Sequence, residues 1–203
     1  MQYDLTDNIT SIDVNGAAIF GVFADKNIKI LAKYLKTTDI AKIKEIIKKS
    51  SFEGKINQSL CIYDTSNKKL EKIYLVGLGE KNKYSEKSFL KAVSALSKIC
   101  KNNNLKNIFL SIDSLLTDKI KQGWAIRNIS IHINGIDYVY NETKNKTKIK
   151  INYKISKIIF ISSLLKKSYL PSLKKYFQQG VAISSGIKLA KKLGDLPSNI
   201  CTP

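Results

Sequence analysis

Lys72–Glu80, KIYLVGLGE, is the stretch on which the fold turns. Seven of its nine residues are apolar or glycine, and Ile, Tyr and Val favour a pleated, buried backbone. A short apolar run without polar alternation reads as a central strand covered on both faces. Immediately upstream, Ser59–Tyr63 reads as another strand, and Asp64-Thr65-Ser66-Asn67 supplies turn residues between the two. Residues 59–78 are therefore expected to form a hairpin, which makes the sheet mixed rather than wholly parallel.

Working outward, Ala17–Ala24 and Asn107–Ile112 read as buried strands, and Lys157–Ile161 as the last one. Helical spacing appears between them. Thr38 or Asp39 is a candidate cap for a helix with Ile40, Ile43, Ile46 and Ile47 on one side. Ser85 opens a second helix carrying Phe89, Val93, Leu96 and Cys100. A third is expected from about Ser114, with Leu115, Ile120 and Trp124, until Gly135 interrupts the pattern. Asn141–Lys150 reads as a polar loop. From Pro171 to Leu193 runs one long helix whose apolar positions cover more than one stripe, as expected of a helix packed against two bodies; Gly180 and Gly186 weaken it locally. The order β, α, β, β, α, β, α, β, α predicts an α/β fold with a central mixed sheet flanked by helices.

Composition bounds the function. The 203 residues are 43% hydrophobic and 9% aromatic, enough for a proper core. The first residues lack a secretory signal, and no apolar run reaches the roughly 18 residues of a membrane helix. A cytoplasmic protein is expected. Cys61, Cys100 and Cys201 form no CxxC pair, which argues against zinc and against a disulfide framework. The net charge is +19, yet Arg127 is the only arginine among 35 basic residues. Lysine supplies a positive field without the bidentate fork suited to bases and phosphates. The excess fits either AT-rich codon usage or a selected affinity for nucleic acid.

Catalytic constellations are not found. Gly77-Leu78-Gly79 follows a strand as a dinucleotide loop would, but Asn82 stands where the third glycine belongs, so a tight turn is the expectation. His132, the only histidine, lies among isoleucines without a carboxylate to orient it. Asp113 and Asp118 lack partners at a metal-site spacing, and Asp195 reads as structural. No catalytic, cofactor-binding or metal-binding residue is assigned.

Three stretches carry a family resemblance. Phe52-Glu53-Gly54-Lys55 before Leu60-Cys61-Ile62-Tyr63 is similar to an F-x-G-K turn entering a strand. Lys72–Glu80, with Ser85–Val93 after it, is similar to a V-G-L-G strand and its following helix. Gly180–Pro203, GVAISSGIKLAKKLGDLPSNICTP, matches in register a pattern ending P-x-N-x-x-T-P. Together they resemble the leucyl aminopeptidases of the M17 family, the cytosol aminopeptidases. Departures are Asp195 where Asn is usual, and Lys191-Lys192 where Arg-Asp is common.

The resemblance implies a macro-domain-like α/β domain over residues 1–168 and a connector helix over 169–194. Residues 195–203 would be the first of a catalytic domain that is otherwise absent. For the whole enzyme it implies a hexameric metalloexopeptidase releasing N-terminal amino acids from peptides. Two divalent metals (zinc, manganese or cobalt) would polarise the scissile carbonyl and activate water. Their ligands belong to the catalytic domain, and motifs such as N-T-D-A-E-G-R do not occur here, so no site residue carries over and this part alone is expected to be inactive. Some bacterial members bind DNA through this outer part, which keeps a DNA-binding module as the alternative. Fold analogy alone adds an ADP-ribose or nucleotide binder as a third reading.

Overall fold

The computed structural model describes residues 2–9, 13–63, 66–143, 155–163 and 167–200. Six strands among these residues form one sheet: β1 (Gln2–Thr6), β2 (Gly16–Phe23), β3 (Ser59–Tyr63), β4 (Leu70–Gly79), β5 (Asn107–Ser111) and β6 (Lys157–Ile161). Their spatial order is β1-β6-β5-β2-β4-β3. All neighbouring pairs are parallel except β3 with β4, which is antiparallel with Leu60 opposite Leu75. The expected mixed α/β sheet is thus present, with the hairpin where the turn residues put it.

Among the described residues four helices flank the sheet: α1 (Thr37–Lys49), α2 (Glu86–Asn102), α3 (Gln122–Gly135) and α4 (Leu170–Asp195). Alternation along β4 divides the core. Tyr74, Val76 and Leu78 face α2, α3 and the first half of α4, where Phe89, Leu96, Ile126, Leu173 and Phe177 complete one cluster. Ile73 and Leu75 face the opposite way, towards Ile43 and Ile47 of α1 and Leu31 of a short 3-10 turn, Lys29–Lys33. Burial on both faces is why the central strands read as unbroken apolar runs.

Several local expectations change. β1 is a strand without a sequence signature: QYDLT is half exposed and pairs with β6 at the sheet edge, so it lacks the apolar run of the central strands. α1 starts at Thr37 without a side-chain cap. Asp39 is instead buried, and its carboxylate accepts from the Ser66 amide at 2.8 Å and the Ser66 hydroxyl at 2.7 Å. α3 starts at Gln122 rather than near Ser114. The Ser114 hydroxyl accepts from the Gly21 amide at 2.8 Å and donates to the Ser111 carbonyl at 2.8 Å, holding 112–116 in turns against the sheet. Ser85 does cap α2, accepting from the Ser88 amide.

The 26 residues of α4 make a rod of roughly 39 Å. Its two halves differ. Leu173, Phe177, Gly180 and Ser184 are buried along one stripe, whereas Ile183, Ile187, Leu189 and Leu193 are 41–58% exposed. Gly180 meets α3 so closely that a Cβ there would sit 2.5 Å from the Arg127 carbonyl oxygen. No described helix is long and apolar enough to cross a membrane.

Candidate functional site

Gly77 and Gly79 end β4 beneath the Phe52–Lys55 turn, so two of the family-like stretches pack on one another. The Gly79 amide donates to the Gly54 carbonyl at 2.8 Å and the Gly77 amide to the Gln58 carbonyl at 2.9 Å. A Cβ on Gly77 would collide with the Lys55 carbonyl oxygen, and Gly79 has φ +80°. The glycines serve backbone packing and a left-handed turn. Their amides are occupied by protein carbonyls, not presented to a phosphate.

The carboxyl ends of the parallel strands are where an open α/β sheet places a ligand crevice. The point of divergence lies between β2 and β5: the chain continues from β2 to β3 and β4 on one side, and from β5 to β6 on the other. A cavity of about 210 Å3 opens there, lined by Asp25, Lys29, Lys81, Asp113 and Ser114. That is below the range of about 300–1,000 Å3 usual for small-molecule sites.

Asp113 beside it is committed to structure. Its carboxylate accepts from the hydroxyls of Tyr34 and Ser162 at 2.5 Å each, and from the Ser163 amide at 2.8 Å. The Tyr34 oxygen in turn accepts the same amide at 2.8 Å. Burial first, and then Asp113, raise the Tyr34 hydroxyl to about 12, so it remains a donor at neutral pH. This cluster ties the end of β6 and the loop after β5 to the 3-10 turn. Sequence reasoning missed it because the partners come from positions 34, 113, 162 and 163, with no local motif. Asp118 is exposed, and Asp195 accepts from the Tyr138 hydroxyl at 2.5 Å, a structural contact.

His132 lies on α3 in a second cavity, of about 580 Å3, where α2, α3 and α4 meet. It is half-buried, and desolvation lowers its pKa below the usual 6.5. Ser97 and Ser184 also line this cavity. A third cavity, about 480 Å3 and mostly apolar, lies between the 3-10 turn and α1 with Lys26, Lys29, Lys44 and Lys48 at its edge.

The described cysteines are free: Cys100 is buried, and burial pushes its thiol up to about 12, while Cys61 is half-exposed on β3. Cys201, most of the polar loop read at 141–150, and the end of the P-x-N-x-x-T-P stretch lie outside the described residues. Among the described residues no three His, Cys, Asp or Glu side chains converge as a metal site would require. The donor set described therefore does not fit a pair of divalent ions, and no chemistry through them is assigned to these residues.

Comparison with known proteins places this architecture. A mutant of tomato leucine aminopeptidase superposes with a TM-score of 0.76 at 16% identity, covering 100% of this chain and 40% of that one. The bottromycin maturation enzyme BotP, in a structure with Mn, gives 0.64 at 13% identity over 94% of this chain and 34% of its own. These likenesses define the class of fold, an α/β domain that forms part of longer chains. The family model described as the cytosol aminopeptidase family, N-terminal domain, matches residues 19–147. Probable cytosol aminopeptidases of Blochmanniella floridana and of Buchnera aphidicola subsp. Schizaphis graminum are each 30% identical over the whole chain. The chain belongs to the cytosol aminopeptidase family, as its N-terminal domain. It spans 40% of the length of the curated relatives it matches.

Proposed function

We propose that this chain is the non-catalytic, accessory part of a cytosolic metal-dependent aminopeptidase that releases N-terminal amino acids from peptides. The match of residues 19–147 to the family's N-terminal model carries the reading. Residues 1–168 form the accessory domain, 169–194 the connector, and 195–203 the entry to a catalytic domain that binds two divalent metals. The exposed Ile183, Ile187, Leu189 and Leu193 support a second body against the outer half of α4. In the assembled enzyme, a hexamer by family resemblance, a domain so placed shapes access and assembly rather than bond cleavage.

The reading frame beyond Pro203 tests this directly. A segment carrying Lys, Asp and Glu metal ligands is expected; an immediate stop codon would sink the parent-enzyme reading. Assayed alone with Mn or Zn and leucine p-nitroanilide, the 203-residue chain is expected to release no product. Metal-dependent release by the chain itself would overturn its accessory role.

The net charge of +19 supports a second reading, a DNA-binding module. On that reading duplex affinity falls steeply as salt rises and still exceeds that of equally basic proteins near physiological ionic strength. Affinity no greater than theirs would count against it.

A further inference from the structure

The sheet ends on β3, whose outer side pairs with no other described strand. Register fixes which groups that edge presents. The Gly77 amide donates to the Gln58 carbonyl, and Ser59, Leu60 and Cys61 stand opposite Val76, Leu75 and Tyr74. In an antiparallel ladder, residues bonded to the neighbouring strand alternate with residues that are not. Gln58, Leu60 and Ile62 therefore turn their backbone groups to β4, and Ser59, Cys61 and Tyr63 turn theirs outward. None of these three outward amides is bonded to another described residue.

The opposite edge of the sheet is closed by its own side chain. On β1 the Gln2 amide donates to the Ser156 carbonyl and the Thr6 carbonyl accepts from Ser162, so Leu5 faces outward; its amide is taken by the Asp4 carboxylate at 2.8 Å. β3, SLCIY, has no charge, no proline and no bulge, the devices that keep an edge strand from accepting another. Beside it lies a cleft of about 450 Å3, lined by Ser59 and by Lys91, Lys98 and Asn102 of α2. No carboxylate lines this cleft, and neither lysine forms an ion pair among the described residues. Alternate residues of a strand point the same way. Ser59, Cys61 and Tyr63 thus share the α2 side, where Cys61 packs, and Leu60 and Ile62 share the α1 side.

We propose that the β3 edge accepts an extended acidic peptide segment as a further strand, antiparallel to Ser59–Tyr63. Its residues opposite Ser59 and Cys61 point into the cleft and meet Lys91 and Lys98. The residues between them lie on the other face, beside Leu60 and Ile62. The segment that fits therefore alternates acidic and apolar side chains, with backbone hydrogen bonds supplying affinity and the two faces supplying selectivity. A second copy of this chain fits less well, because it brings together two bodies of net charge +19 and its own edge offers no carboxylate to the lysines. Every group invoked belongs to this chain, so the inference is independent of the aminopeptidase reading.

The probe is an acetylated, amidated heptapeptide alternating Glu and Val, titrated into the 203-residue chain and followed by NMR hydrogen exchange. Saturable binding near about 100 μM is expected. Protection should appear at the amides of Ser59, Cys61 and Tyr63, while those of Leu60 and Ile62, already turned to β4, change little. The same peptide N-methylated at its glutamates has no amides to offer the edge and should bind about tenfold more weakly or worse. A Lys/Val counterpart should lose about as much. Ser59→Pro deletes one outward amide at the first residue of an edge strand, where proline is tolerated, and should weaken binding about fivefold or more. Lys91→Gln combined with Lys98→Gln, both exposed, should leave Tm unchanged and weaken binding about fivefold. The proposal is overturned if no saturable binding occurs below about 1 mM, or if binding leaves exchange at Ser59, Cys61 and Tyr63 unchanged. Equal affinity for the Lys/Val peptide would overturn the acidic class. Protection of the same three amides that grows with chain concentration, without peptide, would make a second copy the occupant and overturn the peptide.

Discussion

The Lys55 carbonyl oxygen occupies the space that a Cβ on Gly77 would need. This close approach is the seam between the Phe52–Lys55 turn and the end of β4, and two amide hydrogen bonds from Gly77 and Gly79 flank it. The obstacle is backbone, which cannot swing aside as a flexible side chain would. Gly77→Ala is therefore expected to destabilise the fold by about 3 kcal/mol or more, read as a lower urea midpoint.

A second prediction concerns the cluster around Asp113. Tyr34→Phe removes a hydroxyl that donates to Asp113 and accepts from the Ser163 amide. Replacement is expected to cost about 1 kcal/mol, the usual net contribution of a hydrogen bond, since the Ser163 amide keeps Asp113 as its acceptor. Asp113→Ala should cost more, because it removes the acceptor shared by the hydroxyls of Tyr34 and Ser162 and leaves the Ser163 amide only the Tyr34 oxygen. Urea denaturation of both variants checks the order; equal stability of Asp113→Ala and the unmodified chain would refute a structural role.

These two features differ in how legible they were. Lys72–Gly79 announced itself because a strand covered on both faces must be apolar at every position. The hairpin followed from turn residues at 64–67. The half-exposed QYDLT of β1 carries no such run, and its place beside β6 is set across more than 150 residues of chain. Ser114 looked like the start of a helix, yet its hydroxyl bridges Gly21 and Ser111, a tertiary contact that overrides local periodicity. The same holds for sites. The glycines of β4 could be read as a turn, but the Asp113 cluster and the cavity of Ser97, His132 and Ser184 are assembled from separate elements. The ending at 180–203 is the longest single run that carries the family resemblance, beside the shorter stretches at 52–63 and 72–93.

His132 gives a pH prediction. Desolvation lowers its folded-state pKa, whereas the unfolded imidazole takes a proton near pH 6.5. Between those values the unfolded chain binds more protons, so acid favours unfolding through this group. Its contribution is intact above about pH 7. It declines as the pH falls through 6.5 and then through the lower folded value. His132→Asn is expected to make Tm fall less steeply between pH 7.5 and 5.5, measured by thermal melts at constant ionic strength. An unchanged slope would show that the ring titrates as it does in water.

Gly180 and Gly186 look alike in the sequence, two helix-weakening residues in one long helix, but their surroundings are opposite. A Cβ at Gly180 would lie 2.5 Å from both the Arg127 carbonyl oxygen and the Ser130 Cβ, while Gly186 has nothing within 4 Å. The same turn of α4 is held by the Ser130 hydroxyl, which donates to the Phe177 carbonyl at 2.8 Å. Gly180→Ala must therefore push α4 away from α3 and is expected to cost about 2–3 kcal/mol. Gly186→Ala meets no obstacle and gains helix propensity, so it should stabilise by about 0.5–1 kcal/mol. Denaturant titration of the two variants gives the signs. Hydrogen exchange in Leu173–Ser184 locates the effect, with faster exchange expected only for Gly180→Ala. Similar losses at both positions would mean that the helix, rather than its docking on α3, limits stability here.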